Sequence, residues 1–322
     1  MHKKLVNHCT INLTIIPDGP ILIKSGKEGA DPTKPDMEFV ETYHTGGRSI
    51  YLPGSSLKGA IRAHAERIVR TVGRETNSDS SKNILWANDP LNDNYNYLKN
   101  KNISSCDIYK LSSFTDQMFG NTSIASRVRI EDAYPKDKTK LKIEERNGVA
   151  IDRVFGSVIP GALFNYQVCT FGEFKTKINL KNFTLAQLGL MGLVLRDLND
   201  GWFGLGFAKS RGLGTVSVQY NEATVQYPGC VLDEQTRQIK LLGSDKIWEN
   251  TMLLGAGEFL ETNEAERYTF PKPDHQETPV AAQLMDLGFG VELTFSGEEQ
   301  VKHLFTRSVN AWRELLQPGG TR

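Results

Sequence analysis

The stretch YLPGSSLKGAIRAHAERIVR, residues 51–70, constrains this chain more than any other part of the sequence, because a turn, a helix start and a misplaced charge occur together. Ser55 or Ser56, after the Pro-Gly turn, can cap the helix by accepting one of its free amide protons. Lys58 stands in the first helical turn, where the helix dipole disfavours a cation, and Arg62 shares its side of the helix one turn later. The stretch predicts a phosphate site at the helix start. The alternative is a surface turn with a solvated lysine.

The charge of the chain is balanced overall but segregated along it. Arg and Lys together number 38, as do Asp and Glu, so no global field attracts nucleic acid. Residues 46–70 nevertheless hold five basic residues against one acidic residue, whereas residues 255–322 hold 11 acidic against six basic residues. A surface for a polyanion is therefore expected near the opening stretch and not in the C-terminal segment.

The four cysteines are Cys9, Cys106, Cys169 and Cys230, and no two of them have the C-x-x-C spacing. The wide separation of the four cysteines argues against a structural zinc site and against a disulfide scaffold, so a reduced, cytoplasmic protein is expected. The N-terminal residues lack an apolar signal region, and the longest apolar run is far too short to cross a bilayer. We expect no membrane segment.

The order of predicted elements indicates an α+β protein. The pattern predicts a strand at 4–16, a short strand at 21–23, the helix of the opening stretch, a strand around residue 128, renewed strand composition at 150–171, a helix from 184 to about 198 with a Thr-Leu-Ala-Gln capping box, and a strand at 215–220. This β-α-β-β-α-β order predicts a ferredoxin-like, modified RRM-like core. No aromatic RNP strand is present, so any RNA binding would use loops and helix ends.

The remaining segments are expected to be additions to this core. Residues 1–220 form the expected core domain, with a large polar insertion at about 73–112 and a protruding, thumb-like hairpin at about 133–165. Residues 221–322 form a C-terminal extension of unknown role, which ends in an amphipathic helix at 297–317.

A second informative stretch is GWFGLGFAKSRGLGTVSVQY, a glycine-rich loop with Lys209, Ser210 and Arg211 at its apex and Gly212 directly after them. It is not a P-loop, because it leads into a strand and not into a helix. Backbone amides without bulky neighbours, beside two cations, suit a sugar-phosphate chain. A merely flexible loop is the alternative.

Arg127 and Arg129 alternate with Val128 and Ile130. A strand with both arginines on one face is predicted, available to RNA. The alternative is an ordinary solvated face of a sheet.

Taken together, YLPGSSLKGAIR and the distant GLGFAKSRGLGTV resemble the RAMP proteins, the RNA-binding backbone subunits of type III CRISPR effector complexes. RNGVAIDRVFGSVIPGALF, which contains Arg153, resembles the segment before their thumb hairpin. KEGADPTKPDMEFV and ASRVRIEDAY look most like the type III-D branch. The resemblance covers residues 5–220 and implies a cytoplasmic ribonucleoprotein for antiviral defence, whose partners are guide RNA, target RNA and further subunits.

The resemblance also implies metal-dependent cleavage of target RNA by an aspartate in the loop before the PGSS motif. Asp36 lies closest to the family spacing, and Asp31 is the alternative. Such a carboxylate can hold Mg²⁺ or another divalent cation, or help to deprotonate the attacking 2′-hydroxyl. Relatives often carry paired cysteines before the Phe-Gly of this region, and only Cys106 is present here, which weakens any zinc role. His44 is the histidine nearest this loop.

Three functions stay open at this point. The first is an endoribonuclease subunit that cleaves through Asp36, the second a non-catalytic structural subunit of the same complex, and the third a guide-processing endoribonuclease. The residues expected to bind RNA are Ser55, Ser56, Lys58, Arg62, Arg127, Arg129, Arg153, Lys209, Ser210, Arg211 and Gly212.

Overall fold

Seven antiparallel strands form the main sheet of the protein, and smaller sheets lie around it. The computed structural model describes residues 4–26, 35–73, 85–89, 91, 98 and 103–316. Its strands in chain order are β1 (His8–Pro17), β2 (Glu41–His44), β3 (Gly47–Ile50), β4 (Val128–Ile130), β5 (Tyr134–Pro135), β6 (Lys142–Ile151), β7 (Val158–Phe171), β8 (Phe174–Lys181), β9 (Val216–Tyr227), β10 (Cys230–Leu232), β11 (Ile239–Leu241), β12 (Ile247–Trp248), β13 (Met252–Leu254), β14 (His275–Glu277), β15 (Gln283–Leu284) and β16 (Val291–Ser296).

The α-helices complete the described architecture. In chain order they are α1 (Gly54–Val72), α2 (Ser105–Leu111), α3 (Phe114–Phe119), α4 (Leu185–Asn199), α5 (Thr262–Tyr268) and α6 (Gly297–Leu316). Within the described part of the chain, none of these helices combines the length and the apolar character needed to cross a bilayer.

The order of strands in the main sheet is β15-β16-β9-β1-β8-β4, with β5 also paired to β8. Helix α1 connects β1 to β4, and α4 connects β8 to β9, so each helix crosses over the strand between its two neighbours. The four strands at the β4 end of this sheet therefore have the β-α-β-β-α-β order with the arrangement β9-β1-β8-β4. This confirms the predicted α+β, ferredoxin-like core.

Alternation of apolar and polar residues explains why β1 lies where it does. Cys9, Ile11 and Leu13 are almost completely buried, and the polar residues between them lie on the opposite face. The short strand predicted at 21–23 is wrong. This segment makes an isolated bridge at Ile21, and the Leu22 carbonyl accepts the amide N–H of Phe207 at 2.7 Å.

Helix α4 is the buried centre of the helical layer. Its predicted capping box is present: Thr184 Oγ1 accepts the amide of Gln187 at 3.3 Å, and Gln187 Oε1 accepts the amide of Thr184 at 3.2 Å. Gly189 allows α6 to approach closely, because a Cβ there would lie 2.5 Å from the carbonyl oxygen of Ser308. The all-round apolar sequence of α4 is thus explained by its position between α1, α6 and the sheet.

The C-terminal residues extend this core. Strand β16 pairs with β9, and α6 packs on α4, so the position 220, where the extension was expected to begin, falls inside β9. The buried carboxylate of Asp274 accepts the amides of Leu185 and Gly257, each at 3.0 Å, and so binds the start of α4 to the extension. Burial raises the pKa of Asp274 to about 7.

Strands β6 and β7 form the protruding hairpin that the sequence predicts. Its tip carries apolar side chains in solvent, with Val154 82% and Phe155 84% exposed. The thumb-like hairpin in the predicted fold is therefore present. The predicted insertion at about 73–112 falls largely outside the described residues.

Candidate nucleic-acid interface

The segments that stand out in the sequence meet at one end of the main sheet. Strand β1 ends there at Pro17, which pairs with Val216 at the start of β9, and Ile15 pairs with Phe174 at the start of β8. The amide of Gly54, the first residue of α1, is bonded at the same end, just beyond β4. The base of the hairpin and the glycine-rich loop adjoin these strand ends, because both are directly connected to β8 or β9.

The first amide of α1 is satisfied by the protein itself. Gly54 N–H donates to Asp132 Oδ1 at 2.7 Å, and Pro53 occupies the N-cap position without a side-chain cap. The expectation that Ser55 or Ser56 caps the helix is therefore wrong, because both lie inside the first turn. Their side chains are exposed at its surface. An internal carboxylate thus supplies one anion at the helix dipole.

Lys58 is anchored to the neighbouring strand. Its Nζ donates to Ser126 Oγ at 2.8 Å and to the Val128 carbonyl at 3.2 Å. Burial lowers the pKa of the Lys58 ammonium, and the charge of Arg62 adds to the effect. These contacts account for a lysine in the first turn without any ligand, so the position of Lys58 is not in itself evidence for a phosphate.

The side chain of Arg62 is bonded to other parts of the protein. Its guanidinium donates to Glu66 Oε1, to the Gly120 carbonyl and to Asp116 Oδ1, each at 2.8 Å. The side chain of Asp116 is completely buried. Arg62 therefore ties α1 to α3, and its predicted role as an RNA contact is not supported by its geometry.

This position predicts a loss of stability when Arg62 is replaced by glutamine. The free energy of unfolding should fall by about 2 to 3 kcal/mol, because the buried Asp116 loses its charged partner. Urea unfolding followed by circular dichroism measures the difference. Arg129→Gln is the matched control, since that side chain is 78% exposed and its loss should change stability by about 0.5 kcal/mol or less. Equal stability of the two variants would contradict the structural role.

Arg127 and Arg129 do not share an accessible face, contrary to the prediction. Arg127 is 3% exposed, its Nη1 donates to the Asn182 carbonyl at 2.9 Å, and its guanidinium lies 4.5 Å from the ring centre of Tyr109. The ring of Phe270 covers it further. Arg127 is thus buried by α2 and by the segment after α5, which its local alternation could not indicate. Arg129 does point into solvent.

The glycine-rich loop presents its basic residues as predicted. Lys209–Arg211 forms a short, exposed 3-10 helix, with Ser210 between the two cations and Gly212 after them in the left-handed conformation. The guanidinium of Arg211 lies 5.1 Å from the ring centre of Phe207 and 5.9 Å from that of Phe164 on β7. Arg211 therefore links this loop to the hairpin.

Two glycines of this loop are needed for packing. Gly206 has a φ of +78°, and a Cβ there would lie 2.2 Å from the Leu22 carbonyl oxygen. Gly214 has a φ of +91°, and its Cβ would lie 2.2 Å from the Leu205 carbonyl oxygen. Close backbone contact inside the protein explains both residues, so they are not evidence that an RNA backbone approaches here.

Asp36 lies beside the hairpin. Its Oδ2 accepts the amide of Asn165 on β7 at 2.9 Å, and its own amide donates to Asn165 Oδ1 at 2.8 Å. Met37 forms a parallel bridge to Tyr166, which holds the loop along the same strand. Asp36 is exposed, and Asn165 directly follows Phe164, the residue that Arg211 contacts. The alternative candidate, Asp31, lies outside the described residues.

The remaining candidates are Arg153, His44 and Cys106. Arg153 is exposed at the hairpin tip. The imidazole of His44 stacks on Tyr134, with 3.7 Å between ring centres. Among the residues described, no three His, Cys, Asp or Glu side chains are grouped as metal ligands, and this includes Cys106. Asp36 offers a single carboxylate. Mg²⁺ is commonly held by one or two carboxylates together with substrate phosphates and water.

Three lysines on β8 were not among the residues expected to bind RNA. Lys175, Lys177 and Lys181 are exposed and alternate with the buried Phe174, Thr176, Ile178 and Leu180. The alternation in FKTKINLK is a strand signal that would have placed all three lysines on one face.

Comparison with protein families matches residues 14–217 to the RAMP superfamily. The match covers more than half of the chain and includes the start of α1, the hairpin and the glycine-rich loop. Comparison with curated proteins finds no match.

Proposed function

The chain belongs to the RAMP superfamily, and from this membership we propose that it is a guide-RNA-binding backbone subunit of a type III CRISPR effector complex, of the III-D branch. Members of the superfamily bind RNA and work in multi-subunit complexes. The III-D assignment rests on the similarity of the segments around Asp36 and Arg129. The single observation that carries the proposal is the contact of the exposed Arg211 with Phe164 of the hairpin, next to the residue that bonds Asp36.

The proposed binding mode is electrostatic and independent of base sequence. Arg211, Lys209 and the amides of the exposed first turn of α1 offer donors to a sugar-phosphate chain at the base of the hairpin. Sequencing the RNA that co-purifies with the protein tests the function directly. We expect short RNAs that share a terminal segment, and recovery of no RNA above a mock purification would contradict the proposal.

Neutralising Arg211 should weaken this binding. Arg211→Gln removes one phosphate contact, so the slope of log K against log salt for single-stranded RNA should become shallower by about 0.7. Fluorescence anisotropy over a salt series measures the slope. Arg313→Gln on α6 is the control for loss of one exposed charge. An unchanged slope would remove Arg211 from the RNA site.

We further propose that Asp36 takes part in cleavage of target RNA. A divalent cation held by its carboxylate would neutralise charge on the scissile phosphate. Asp36 itself lies beside the middle of β7, where its Oδ1 has no hydrogen-bond partner among the described residues, while Oδ2 is held by Asn165. The carboxylate can therefore accept a proton or hold a cation and keep its orientation.

A second candidate is a non-catalytic subunit of the same complex. The reciprocal bonds between Asp36 and Asn165 favour it, because they give the carboxylate a structural role in holding the loop on β7. In that case every Asp36 variant that keeps the loop in place would leave cleavage by the assembled complex unchanged.

A further inference from the structure

In the described part of the chain, the helices lie against one face of the main sheet and leave the other uncovered. Helices α1, α4 and α6 pack against the face that carries the buried residues of β1, β8 and β9. The opposite face carries Lys175, Lys177 and Lys181 in exposed positions of β8. Arg129, on the neighbouring edge strand, pairs with Asn179 of β8 and points to the same side. These four cations define what we call the lysine face.

The charge of the lysine face is not neutralised locally. Within the described residues, Lys175, Lys177 and Lys181 have no acidic side chain within 4.0 Å. Arg129 and Glu131 are 3.6 Å apart, but the arginine is 78% exposed, so their attraction is weak. In a chain whose acidic and basic residues balance at 38 each, this surplus is a property of the face.

The acidic side chains beside the lysine face are already bonded to their neighbours. Glu131 accepts from Asn179 Nδ2 at 3.4 Å, and Glu222 accepts from Asn12 Nδ2 at 3.3 Å. Asp132 accepts the first amide of α1. These bonds do not remove the negative charge of the three carboxylates, but the basic side chains along the same surface outnumber them, so the surface keeps a surplus of positive charge for an external anion.

The shape of this surface is an open groove. One hollow of about 660 Å³ runs from the first turn of α1 along β4 to Lys181. A second hollow of about 1020 Å³ runs from Arg129 across β8 to β9, and its outer wall includes His44 and Tyr134. The two hollows share Arg129, so together they form one track from the helix start across the sheet.

The lining of the groove selects the kind of anion. Beside the cations it offers the exposed side-chain amides of Gln219 and Asn221, which can bond phosphate oxygens and sugar hydroxyls. No Phe, Tyr or Trp side chain lies on the exposed face of β1, β8 or β9, and His8 is the aromatic ring that these three strands offer for base stacking. Over the six residue steps from Lys175 to Lys181 the strand extends about 20 Å, which suits a run of several phosphates.

We infer that the lysine face binds the sugar-phosphate backbone of single-stranded RNA, which passes from the first turn of α1 across β8 with its bases directed away from the sheet. The inference rests on the proposed function, because it names the surface along which this chain holds RNA. The proposed RNA contacts are then Lys175, Lys177 and Lys181. They stand in place of Lys58, Arg62 and Arg127, whose side chains are bonded inside the protein.

The test is a triple variant, Lys175→Gln with Lys177→Gln and Lys181→Gln, titrated against a non-self-complementary single-stranded RNA by fluorescence anisotropy over a salt series. Binding at low salt should weaken at least tenfold, and the slope of log K against log salt should become shallower by about 2, since each phosphate contributes about 0.7. Two RNAs of unrelated sequence should lose affinity equally. All three lysines are exposed, so the thermal midpoint should hardly change.

The matched control removes three exposed cations elsewhere: Lys240→Gln, Lys302→Gln and Arg313→Gln. If the lysine-face variant loses no more affinity than this control while Arg211→Gln does weaken binding, the inference is overturned and the proposed function stands. If the wild-type protein itself does not bind RNA, the proposed function fails, and the inference fails with it. Loss of affinity confined to the lysine-face variant supports the inference.

Discussion

The Asp36→Asn protein is expected to cleave target RNA at least ~100-fold more slowly than the wild type, while its affinity for guide RNA stays unchanged. The carboxylate is the group that can accept a proton from the attacking 2′-hydroxyl or hold a divalent cation, and an amide does neither well. Cleavage by the reconstituted complex, measured in single turnover with labelled target, gives the ratio. Guide binding measured on the same preparations shows whether the complex is intact.

Asparagine is chosen because it separates chemistry from structure. Its side-chain oxygen can still accept the amide of Asn165, so the loop stays on β7. Asp36→Ala removes both the charge and this bond and serves as the comparison. If Asp36→Asn cleaves as fast as the wild type and Asp36→Ala does not, the carboxylate acts only by holding the loop. If both cleave normally, the catalytic role passes to Asp31 or the subunit is non-catalytic.

Gly206→Ala is expected to lower the free energy of unfolding by about 3 kcal/mol. The new Cβ would meet the Leu22 carbonyl oxygen at 2.2 Å, and the backbone at residue 206 has a φ of +78°, which side chains rarely adopt. The contact is with backbone that is itself held by the Phe207 amide, so it cannot move aside cheaply. Chemical denaturation followed by tryptophan fluorescence measures the change.

Gly212→Ala is the matched control for this result. Gly212 has a φ of +83°, but no atom lies within 4 Å of the position of its Cβ. The control therefore carries the conformational cost alone, about 1 kcal/mol. Equal losses in the two variants would show that crowding against residue 22 is not the reason for glycine at position 206. A stable Gly206→Ala protein that no longer binds RNA would instead restore the view that this glycine admits the RNA backbone.

Much of the fold follows from local patterns. Alternating Cys9, Ile11 and Leu13 indicate a strand with one buried face, and Thr184 with Gln187 marks the start of a buried helix. These signals act over a few residues, because side-chain direction in a strand or helix is set by its own period. The element order then leads to a ferredoxin-like arrangement, which the structure confirms.

The residues of the candidate site could be predicted from the sequence less well than the fold. Arg62 and Arg127 carry charges that look available in the sequence, yet Asp116 and Asn182, far away in the chain, take up their donors. Lys175 is the opposite case: the alternation in FKTKINLK indicates its exposure, and no element far away in the described chain takes up its charge. A basic residue is recognisable in a sequence, but the acceptor that binds its side chain belongs to another element.

Local chemistry in the sequence alone determined that a helix follows the turn at Pro53, that Lys209–Arg211 is exposed and that a hairpin protrudes, because turn, glycine and alternation signals depend on neighbours along the chain. The tertiary structure decided which cations stay open to a ligand and which loop lies beside the hairpin. Those outcomes depend on burial and on hydrogen bonds between residues more than 50 positions apart, such as Arg62 with Asp116 and Asp36 with Asn165, and no local pattern encodes such pairs.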